Sequence, residues 1–347
     1  GESAMALDLE QAYKRMGFDT RVGAASIAEA FYPGIIVTSG DAEDTIETVE
    51  EVSQRVGAVV APSVEACRHT ADRMAVRKQA NEELGLPVLD YEFAATPQEM
   101  HDAVERIGYP CVVKSPTSKD GEGFSFVHSD ADLADAWRSA DRGLGQGAVV
   151  ERFIDFDFEV TILAARSIDP STGELATWFC EPIGTRHREG RLVESWQPAP
   201  LPEAAMDNAR SIAARIVGAL ASCGIFSVEM FVSGDDVYFS QVTPRPSRDG
   251  LVTFVTQRIN QFDLQAHATQ RLPIDSTLIS PGAVRFLEGH PSQAALAAAM
   301  AIEEVTVRML GDGTLVLATA DSAAEARQRT DEAVREIYNV DGKPGEN

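Results

Sequence analysis

One stretch indicates the fold more clearly than any other part of the chain: Ser227-Val-Glu-Met-Phe-Val-Ser-Gly-Asp-Asp-Val-Tyr-Phe-Ser-Gln-Val-Thr-Pro-Arg-Pro246. Two apolar runs flank Gly-Asp-Asp, so the stretch predicts a β-hairpin, with Glu229 and Gln241 on its inner face. A buried carboxylate is unfavourable unless it is paired or bound to a metal. Oxygen ligands on neighbouring strands suit Mg²⁺ held against phosphates, so Glu229 and Gln241 are candidate metal ligands. Pro244-Arg245-Pro246 predicts a rigid turn that holds a cation beside them.

A second candidate segment lies upstream, where the predicted strand Cys111–Lys114 runs into the glycine-rich loop 115–123. Backbone N–H groups of such a loop can close over phosphates, and Lys114 can direct a positive charge at them. The loop is not a Walker loop, and taken alone it fits an ordinary flexible surface hairpin better than a phosphate-binding loop.

The third candidate segment is Val150–Glu159, an apolar strand that ends in Glu151 and continues into a hydrophobic connection. Backbone groups in such a connection can read the edge of an adenine ring, and Glu159 could accept hydrogen bonds from a ribose. Alternating strand residues with their acids in water would give the same pattern.

Composition limits the class of protein. The 347 residues predict two or three domains, and 44% apolar with 24% charged residues suits a globular protein with a sizeable core. We find no membrane-length apolar run and no signal peptide, and the four cysteines are widely spaced, so we expect a cytoplasmic protein with reduced thiols. The net charge of −24 argues against nucleic acid and anionic membranes as partners.

The periodicity predicts alternating helices and strands through the first half of the chain and a small α+β unit over the last 70 or so residues. It also predicts a helix over residues 1–17 and a strand at Phe18–Val22. No strand precedes this helix, so we expect residues to be missing before Gly1 and near positions 22–24.

Several motifs, taken in order, resemble the ATP-grasp superfamily and, within it, the formate-dependent glycinamide ribonucleotide transformylases of purine biosynthesis. The match covers most of the chain and is densest from Arg73 to about Leu272. The motifs are Arg73 with Glu82-Glu-Leu-Gly-Leu-Pro87, Ile107-Gly-Tyr-Pro-Cys-Val-Val-Lys114, Phe156-Asp-Phe-Glu159, Glu194-Ser-Trp-Gln-Pro198 and Pro244-Arg-Pro246.

The resemblance implies a fold of mixed α/β and α+β class in three domains. These are an N-terminal Rossmann-like domain (1–72) that binds the acceptor, a central ATP-grasp domain (73–272) with a lid loop (115–123), and a small C-terminal α+β domain (273–347). It also implies a homodimer that uses ATP and Mg²⁺.

The resemblance further implies roles for individual residues. ATP would be bound by Arg73, Lys114, Ser118, Gly121, Gly123, Glu151, Phe153, Ile154 and Glu159, and Mg²⁺ by Glu229, with Gln241 at the second ligand position. Charge in the reaction would be neutralised by Lys114, Arg186 and Arg245. The acceptor would contact Gly1, Glu2, Ser39, Arg248 and Asp249.

The implied reaction activates formate, or a similar small carboxylate, as an acyl phosphate and transfers the acyl group to an amine. Formate needs activation because oxide is a poor leaving group, whereas phosphate leaves easily. The protein positions the reactants, neutralises charge and excludes water with the lid.

The sequence departs from the family pattern around the acceptor. Gln241 stands at a carboxylate position, Ser247-Arg248 replaces His-Asp, Thr38-Ser39 replaces Pro-Glu, and only Asp-Gly-Thr lies between Gly311 and Leu315, where the family has a basic loop. Three hypotheses therefore stay open: a formyl-transferring ligase of this family, a relative that acts on another acceptor or carboxylate in specialised nucleotide metabolism, and an ATP-binding paralogue without turnover.

Overall fold

The structure, a computed structural model, describes residues 3–39, 44–117, 123–188, 190–311 and 313–342. In this part of the chain no helix combines the length and the apolar character that crossing a membrane requires. The α-helices are α1 (Ala4–Arg15), α2 (Ala28–Phe31), α3 (Ile46–Val56), α4 (Val64–Ala71), α5 (Arg73–Lys78), α6 (Pro97–Ile107), α7 (Leu133–Asp141), α8 (Glu203–Leu220), α9 (Thr253–Thr256), α10 (Gln261–Thr269), α11 (Gln293–Ala299) and α12 (Ala323–Asp341).

The strands form three sheets. They are β1 (Ile35–Val37), β2 (Val59–Ala61), β3 (Tyr91–Ala94), β4 (Cys111–Lys114), β5 (Ser125–Val127), β6 (Ala148–Arg152), β7 (Phe158–Ile168), β8 (Leu175–Phe179), β9 (Ile183–Arg188), β10 (Arg191–Gln197), β11 (Gly224–Ser233), β12 (Asp236–Thr243), β13 (Gly282–Glu288), β14 (Val305–Leu310) and β15 (Gly313–Thr319).

The largest sheet has the order β12-β11-β7-β9-β10-β13-β15-β14, with β8 also paired to β7. A four-stranded sheet, β3-β6-β4-β5, lies separately, and β1 and β2 form a parallel pair. Helix α8 packs on one face of the large sheet, where Ile216, Phe226 and Phe239 are fully buried. The opposite face is covered at one end by α1 and α10 around Leu163 and Phe262.

Helix α5 shows how local sequence positions a functional segment. The Asp72 carboxylate accepts hydrogen bonds from the backbone N–H groups of Met74 and Ala75, at 2.9 and 3.1 Å, which caps the helix and fixes where it starts. Arg73 and Arg77 are four residues apart and therefore lie on one face of α5. The helix continues as a π-helical segment, Gln79–Glu83, before the chain reaches β3.

The strand expected at Phe18–Val22 is not found, and that prediction was wrong. The Phe18 N–H instead closes the end of α1 by donating to the Tyr13 carbonyl at 3.2 Å. Residues 19–22 continue as irregular chain into a 3₁₀ turn at Ala25–Ile27. Among the described residues β1 pairs with β2 and with no other strand, so no neighbouring strand is found that could hold this segment in a sheet. The expectation of missing residues near positions 22–24 stays a prediction.

Sequence reasoning also missed the β9–β10 hairpin, in which polar residues interrupt the apolar pattern. This hairpin joins the central and C-terminal parts of the chain, because β13 pairs with β10 from Glu194–Arg285 to Gln197–Gly282. The division into domains at 72/73 and 272/273 therefore remains a proposal, since the large sheet runs across the second boundary without interruption.

Candidate active site

Two cations meet one buried carboxylate between α5 and the four-stranded sheet. Lys114 Nζ lies 2.6 Å from Glu151 Oε2, and Arg77 Nη2 lies 2.7 Å from Glu151 Oε1. The side chains of Arg77 and Glu151 are each 4% exposed. The Arg77 Nε–H also donates to the Ser240 carbonyl at 3.1 Å, which connects this cluster to β12. Glu151 therefore holds both cations in fixed positions.

Arg73 completes a cationic cluster with Arg77 and Lys114, and it lies between these two cations and a set of carboxylates. Burial lowers the pKa of Arg73, while the charges of Glu151 and Glu229 oppose that shift. Burial likewise lowers the pKa of Lys114, against the opposing effect of Glu151. Burial alone would raise the pKa of Glu151, but the charges of Arg77, Lys114 and Arg73 outweigh it and lower the pKa to about 2. Glu151 is thus ionised throughout the working range of pH.

Two buried polar atoms near Lys114 have no hydrogen-bond partner among the residues that the structure describes: Arg77 Nη1 and Ser115 Oγ. Buried polar groups in folded proteins are nearly always paired, so such atoms point to a ligand or water. The free Arg77 donor, close to Lys114 through Glu151, suits an anionic group.

The predicted lid begins as a closed hairpin. The Ser115 N–H donates to the Gly123 carbonyl at 3.0 Å. Gly123 has φ +70°, and a Cβ there would lie 2.8 Å from the Ser115 Cβ, so only glycine fits. Ser118 and Gly121, predicted to bind ATP, lie outside the described residues, as do Gly1 and Glu2, predicted to contact the acceptor.

A group of carboxylates lies close to Arg73. Glu229 on β11 is the direct neighbour of Thr161 on β7, and the Thr161 hydroxyl donates to Asp249 Oδ2 at 2.7 Å. Burial and the charges of Asp249 and Glu159 raise the pKa of Glu229, although Arg73 opposes them. Burial also raises the pKa of Asp249. The site therefore concentrates negative charge that a cation would relieve.

Gln241 on β12 lies directly opposite Glu229 in the register of the two strands. The register shifts immediately after Glu229, which marks a bulge at this position. The predicted hairpin and the juxtaposition of these two side chains are confirmed. Whether either binds a metal stays a prediction.

Aromatic rings line the space where the adenine slot was predicted. Phe153 packs edge-on against Phe126 with ring centroids 5.5 Å apart, and Phe126 is 47% exposed. On β11 the ring centroid of Phe231 lies 4.9 Å from that of Phe156 and 6.0 Å from Lys114 Nζ. Ile154, the other residue predicted for the slot, is half-buried beside Phe153.

A cavity of about 860 Å³ lies between the N-terminal unit and β12. Ser39, predicted to contact the acceptor, and Arg245, predicted to neutralise charge, both line this cavity. Arg73 and Gln241, predicted to bind ATP and metal, line it as well. Apolar and aromatic side chains form much of the remaining wall, including Leu9, Tyr13, Phe18, Ile27, Phe31 and Val37.

Three of the predicted residues are not among those that line this cavity. Asp249 is buried against Thr161, and Arg248 stacks on the Phe286 ring with its guanidinium carbon 5.5 Å from the centroid. Arg186 pairs with Glu194 at 2.9 Å. Because side chains alternate along β9, Arg186 faces away from Thr185 and from the carboxylate group.

Two residues of the site were missed by sequence reasoning. Arg77 could have been found from its spacing of four from Arg73 on a predicted helix. His187 could not, because only the pairing of β9 with β7 brings it to Glu159, where Nδ1 lies 2.7 Å from Oε2.

Comparison with known proteins identifies the domain and the relatives that this chain resembles. The model of the ATP-grasp domain matches residues 79–262. A formate-dependent phosphoribosylglycinamide formyltransferase of Corynebacterium efficiens is 46% identical over 313 residues, which cover 86% of this chain and 78% of that protein. Its counterpart in Paraburkholderia xenovorans is 38% identical over 339 residues, covering 93% and 84%.

Solved structures show the same architecture over the whole chain. The glycinamide-RNase-transformylase T of Mycobacterium tuberculosis superimposes with a TM-score of 0.81 at 32% identity, covering 97% of this chain and 98% of that one. A carboxyaminoimidazole ribonucleotide synthase of Aspergillus clavatus, complexed with ATP, reaches a TM-score of 0.84 at 18% identity over 98% and 97%, which shows a shared fold. The chain therefore has the ATP-grasp fold and belongs to the family of formate-dependent phosphoribosylglycinamide formyltransferases.

Proposed function

We propose that this protein uses ATP to activate formate as formyl phosphate and transfers the formyl group to the amine of glycinamide ribonucleotide, as a step in purine biosynthesis. The observation that carries the proposal is the cationic cluster of Arg73, Arg77 and Lys114 around the buried carboxylate of Glu151, in a chain whose net charge is −24. A strongly acidic protein that binds ATP must gather its cations locally, and this cluster does so.

The described residues suggest where each part of ATP would bind. Lys114 and Arg73, together with the unpartnered Arg77 Nη1, would contact the phosphates, below the lid that starts at Ser115. The adenine ring would lie beside Phe153 and Ile154. Glu159 would hold the ribose, and Glu151 would act mainly by fixing Lys114 and Arg77.

The residues around Glu229 fit a magnesium ion. No hydrogen bond or ion pair of its carboxylate is found among the described residues, and neighbouring acids raise its pKa. Glu229 and the amide oxygen of Gln241 would hold the ion, since Mg²⁺ prefers oxygen ligands. Bound Mg²⁺ would neutralise charge on the phosphates. The Arg73 guanidinium, close to both groups, would keep the phosphates oriented toward it.

The large cavity would hold the acceptor, because Arg73 and Gln241 are shared between it and the nucleotide side. An amine placed there would reach the formyl phosphate without leaving the protein, which protects the intermediate from water. Arg245, which lines the cavity, is the cation best placed for an anionic group of the acceptor. We also propose a cytoplasmic homodimer; four free cysteines and the family resemblance support this.

One observation favours a second candidate, a related enzyme with another acceptor. The sequence has no lysine or arginine where the family has a basic loop, because only Asp-Gly-Thr lies between Gly311 and Leu315. Together with the apolar cavity wall, this would suit an acceptor with less charge and more apolar surface than glycinamide ribonucleotide.

The proposal is tested by ADP release from ATP, Mg²⁺ and formate, with and without glycinamide ribonucleotide. Stimulation by the ribonucleotide is the expected result. Turnover only with other amines would favour the second candidate, and ATP binding without turnover under any condition would leave a binding protein. Lys114→Met should abolish turnover, whereas Lys78→Met, at a side chain that is 65% exposed on the same α5 segment, should leave it unchanged.

A further inference from the structure

His187 on β9 and Glu159 on β7 form a hydrogen-bonded pair on two neighbouring strands. His187 Nδ1 lies 2.7 Å from Glu159 Oε2. Thr185, directly opposite Glu159 on β9, donates its hydroxyl to the Glu159 carbonyl at 3.3 Å. The side chains of His187 and Glu159 are 29% and 22% exposed, so both can contact a bound ligand.

His187 carries a positive charge in this environment. Burial alone would lower its pKa, but the hydrogen bond and charge of Glu159, with the charges of Asp249 and Glu229, raise it to about 9. A protonated imidazole donates through both ring nitrogens. Nδ1–H is used by Glu159, and no hydrogen bond from Nε2 is found among the residues that the structure describes. One donor of a fixed cation is therefore available to a ligand.

Glu159 contributes the complementary group. One carboxylate oxygen, Oε2, accepts from His187, while Oε1 remains able to accept a second hydrogen bond. The pair thus presents a donor and an acceptor side by side. A vicinal diol fits this combination, because one of its hydroxyls can donate while the other accepts.

We propose that His187 and Glu159 together bind the two ribose hydroxyls of the nucleotide, with His187 as the residue that makes the enzyme prefer a ribonucleotide to a 2′-deoxyribonucleotide. This inference rests on the proposed function, which places Glu159 at the ribose. A site built around hydrogen bonds to a hydroxyl rejects the analogue that lacks it, since its buried polar groups are then left unpaired.

The alternative role for His187 is to balance the charges of Glu159, Asp249 and Glu229 without touching the ligand. The two roles differ in what they predict for two nucleotides. Charge balance affects ATP and dATP equally, because they carry the same phosphates. If His187 instead donates a hydrogen bond to the 2′-hydroxyl, its loss weakens the binding of ATP far more than the binding of dATP.

The test measures the Kd of ATP and dATP by calorimetry, and kcat/KM for both, in the wild type and in His187→Phe and His187→Gln. In His187→Phe we expect ATP to bind about tenfold or more weaker with dATP changed less than about threefold, the effect of one charged hydrogen bond. His187→Gln retains an N–H donor and should recover part of the preference. His290→Phe, an exposed histidine on the C-terminal unit, is the matched control and should change neither Kd.

Glu159→Gln separates this inference from the proposed function. If it leaves the affinity for ATP unchanged, the ribose does not bind at Glu159 and the placement of the nucleotide is wrong. If Glu159→Gln weakens ATP binding while His187→Phe weakens ATP and dATP equally, only the role of His187 is overturned. Circular dichroism of each variant confirms that the comparison is between folded proteins.

Discussion

The Glu151 carboxylate accepts a hydrogen bond from Lys114 at 2.6 Å, and both side chains lie between the four-stranded sheet and α5. Glu151 and Lys114 come from neighbouring strands, β6 and β4, that are antiparallel in the sheet. Glu151 simultaneously binds Arg77. A buried carboxylate with two cationic partners makes the cationic cluster possible, because the cations would otherwise repel one another.

Replacing Glu151 should destabilise the protein strongly. Glu151→Gln leaves Arg77 and Lys114 buried without a counter-charge, and breaking a buried ion pair from one side costs about 3 to 5 kcal/mol. Urea denaturation would measure the loss in the free energy of unfolding. Asp135→Asn breaks an exposed pair with Arg138, whose side chain is 76% exposed, and should change that free energy hardly at all. Equal effects of the two substitutions would contradict the structure.

The same carboxylate predicts a dependence of stability on acid pH. The folded pKa of Glu151 is about 2, below the ordinary value near 4.5, so ionised Glu151 stabilises the folded state above pH 4.5. This contribution to the free energy of unfolding is about 3 kcal/mol. It should begin to disappear below about pH 4.5 and be lost as the pH falls through 2. Between pH 6 and 3.5 the wild type should therefore lose more stability than Glu151→Gln does. Parallel curves for the two proteins would be evidence against the shift.

His187 predicts a loss of stability at alkaline pH. Its pKa is raised to about 9 in the folded state from an ordinary value near 6.5. The contribution of the protonated ring is fully present below pH 6.5 and is lost as the pH rises through 9. The thermal midpoint of His187→Gln should accordingly change less than that of the wild type between pH 7 and 9.5. The effect is modest because the side chain is partly exposed.

Gln241→Glu should make stability more dependent on magnesium. The new carboxylate would lie directly opposite Glu229, so repulsion should lower the thermal midpoint without the metal, and added Mg²⁺ should raise it more than in the wild type. Gln98→Glu adds the same charge at an exposed position on α6 and serves as the control. An unchanged response to Mg²⁺ in Gln241→Glu would show that residue 241 does not contact the ion.

Gly184 on β9 should not tolerate a side chain. A Cβ there would lie 2.2 Å from the Trp196 ring, which packs over the backbone at this position. Gly184→Ala should therefore lower the free energy of unfolding by about 1 to 3 kcal/mol through overpacking. At Gly34 a Cβ would meet nothing within 4 Å, so Gly34→Ala should be close to neutral. Thermal or urea denaturation of the two variants decides the comparison.

The hairpin at Ser227–Pro246, the helices with clear caps and the nucleotide-binding fold were predictable from the chain alone. Strand β4 was predicted to the residue, since a short apolar run that ends at Lys114 defines it. These signals are local: a cap, a turn or a periodic face acts within a few residues. The order of the motifs then identified the family.

Tertiary structure decided the contacts between elements that are far apart in sequence. Only the docking of α5 on the four-stranded sheet brings Arg77 to Glu151, and only the pairing of β9 with β7 brings His187 to Glu159. Arg186 lies on the opposite face of β9 from His187 and pairs there with Glu194. The physical reason is that burial and charge–charge energies depend on distance in space, which strand order and register set and which a linear pattern does not contain.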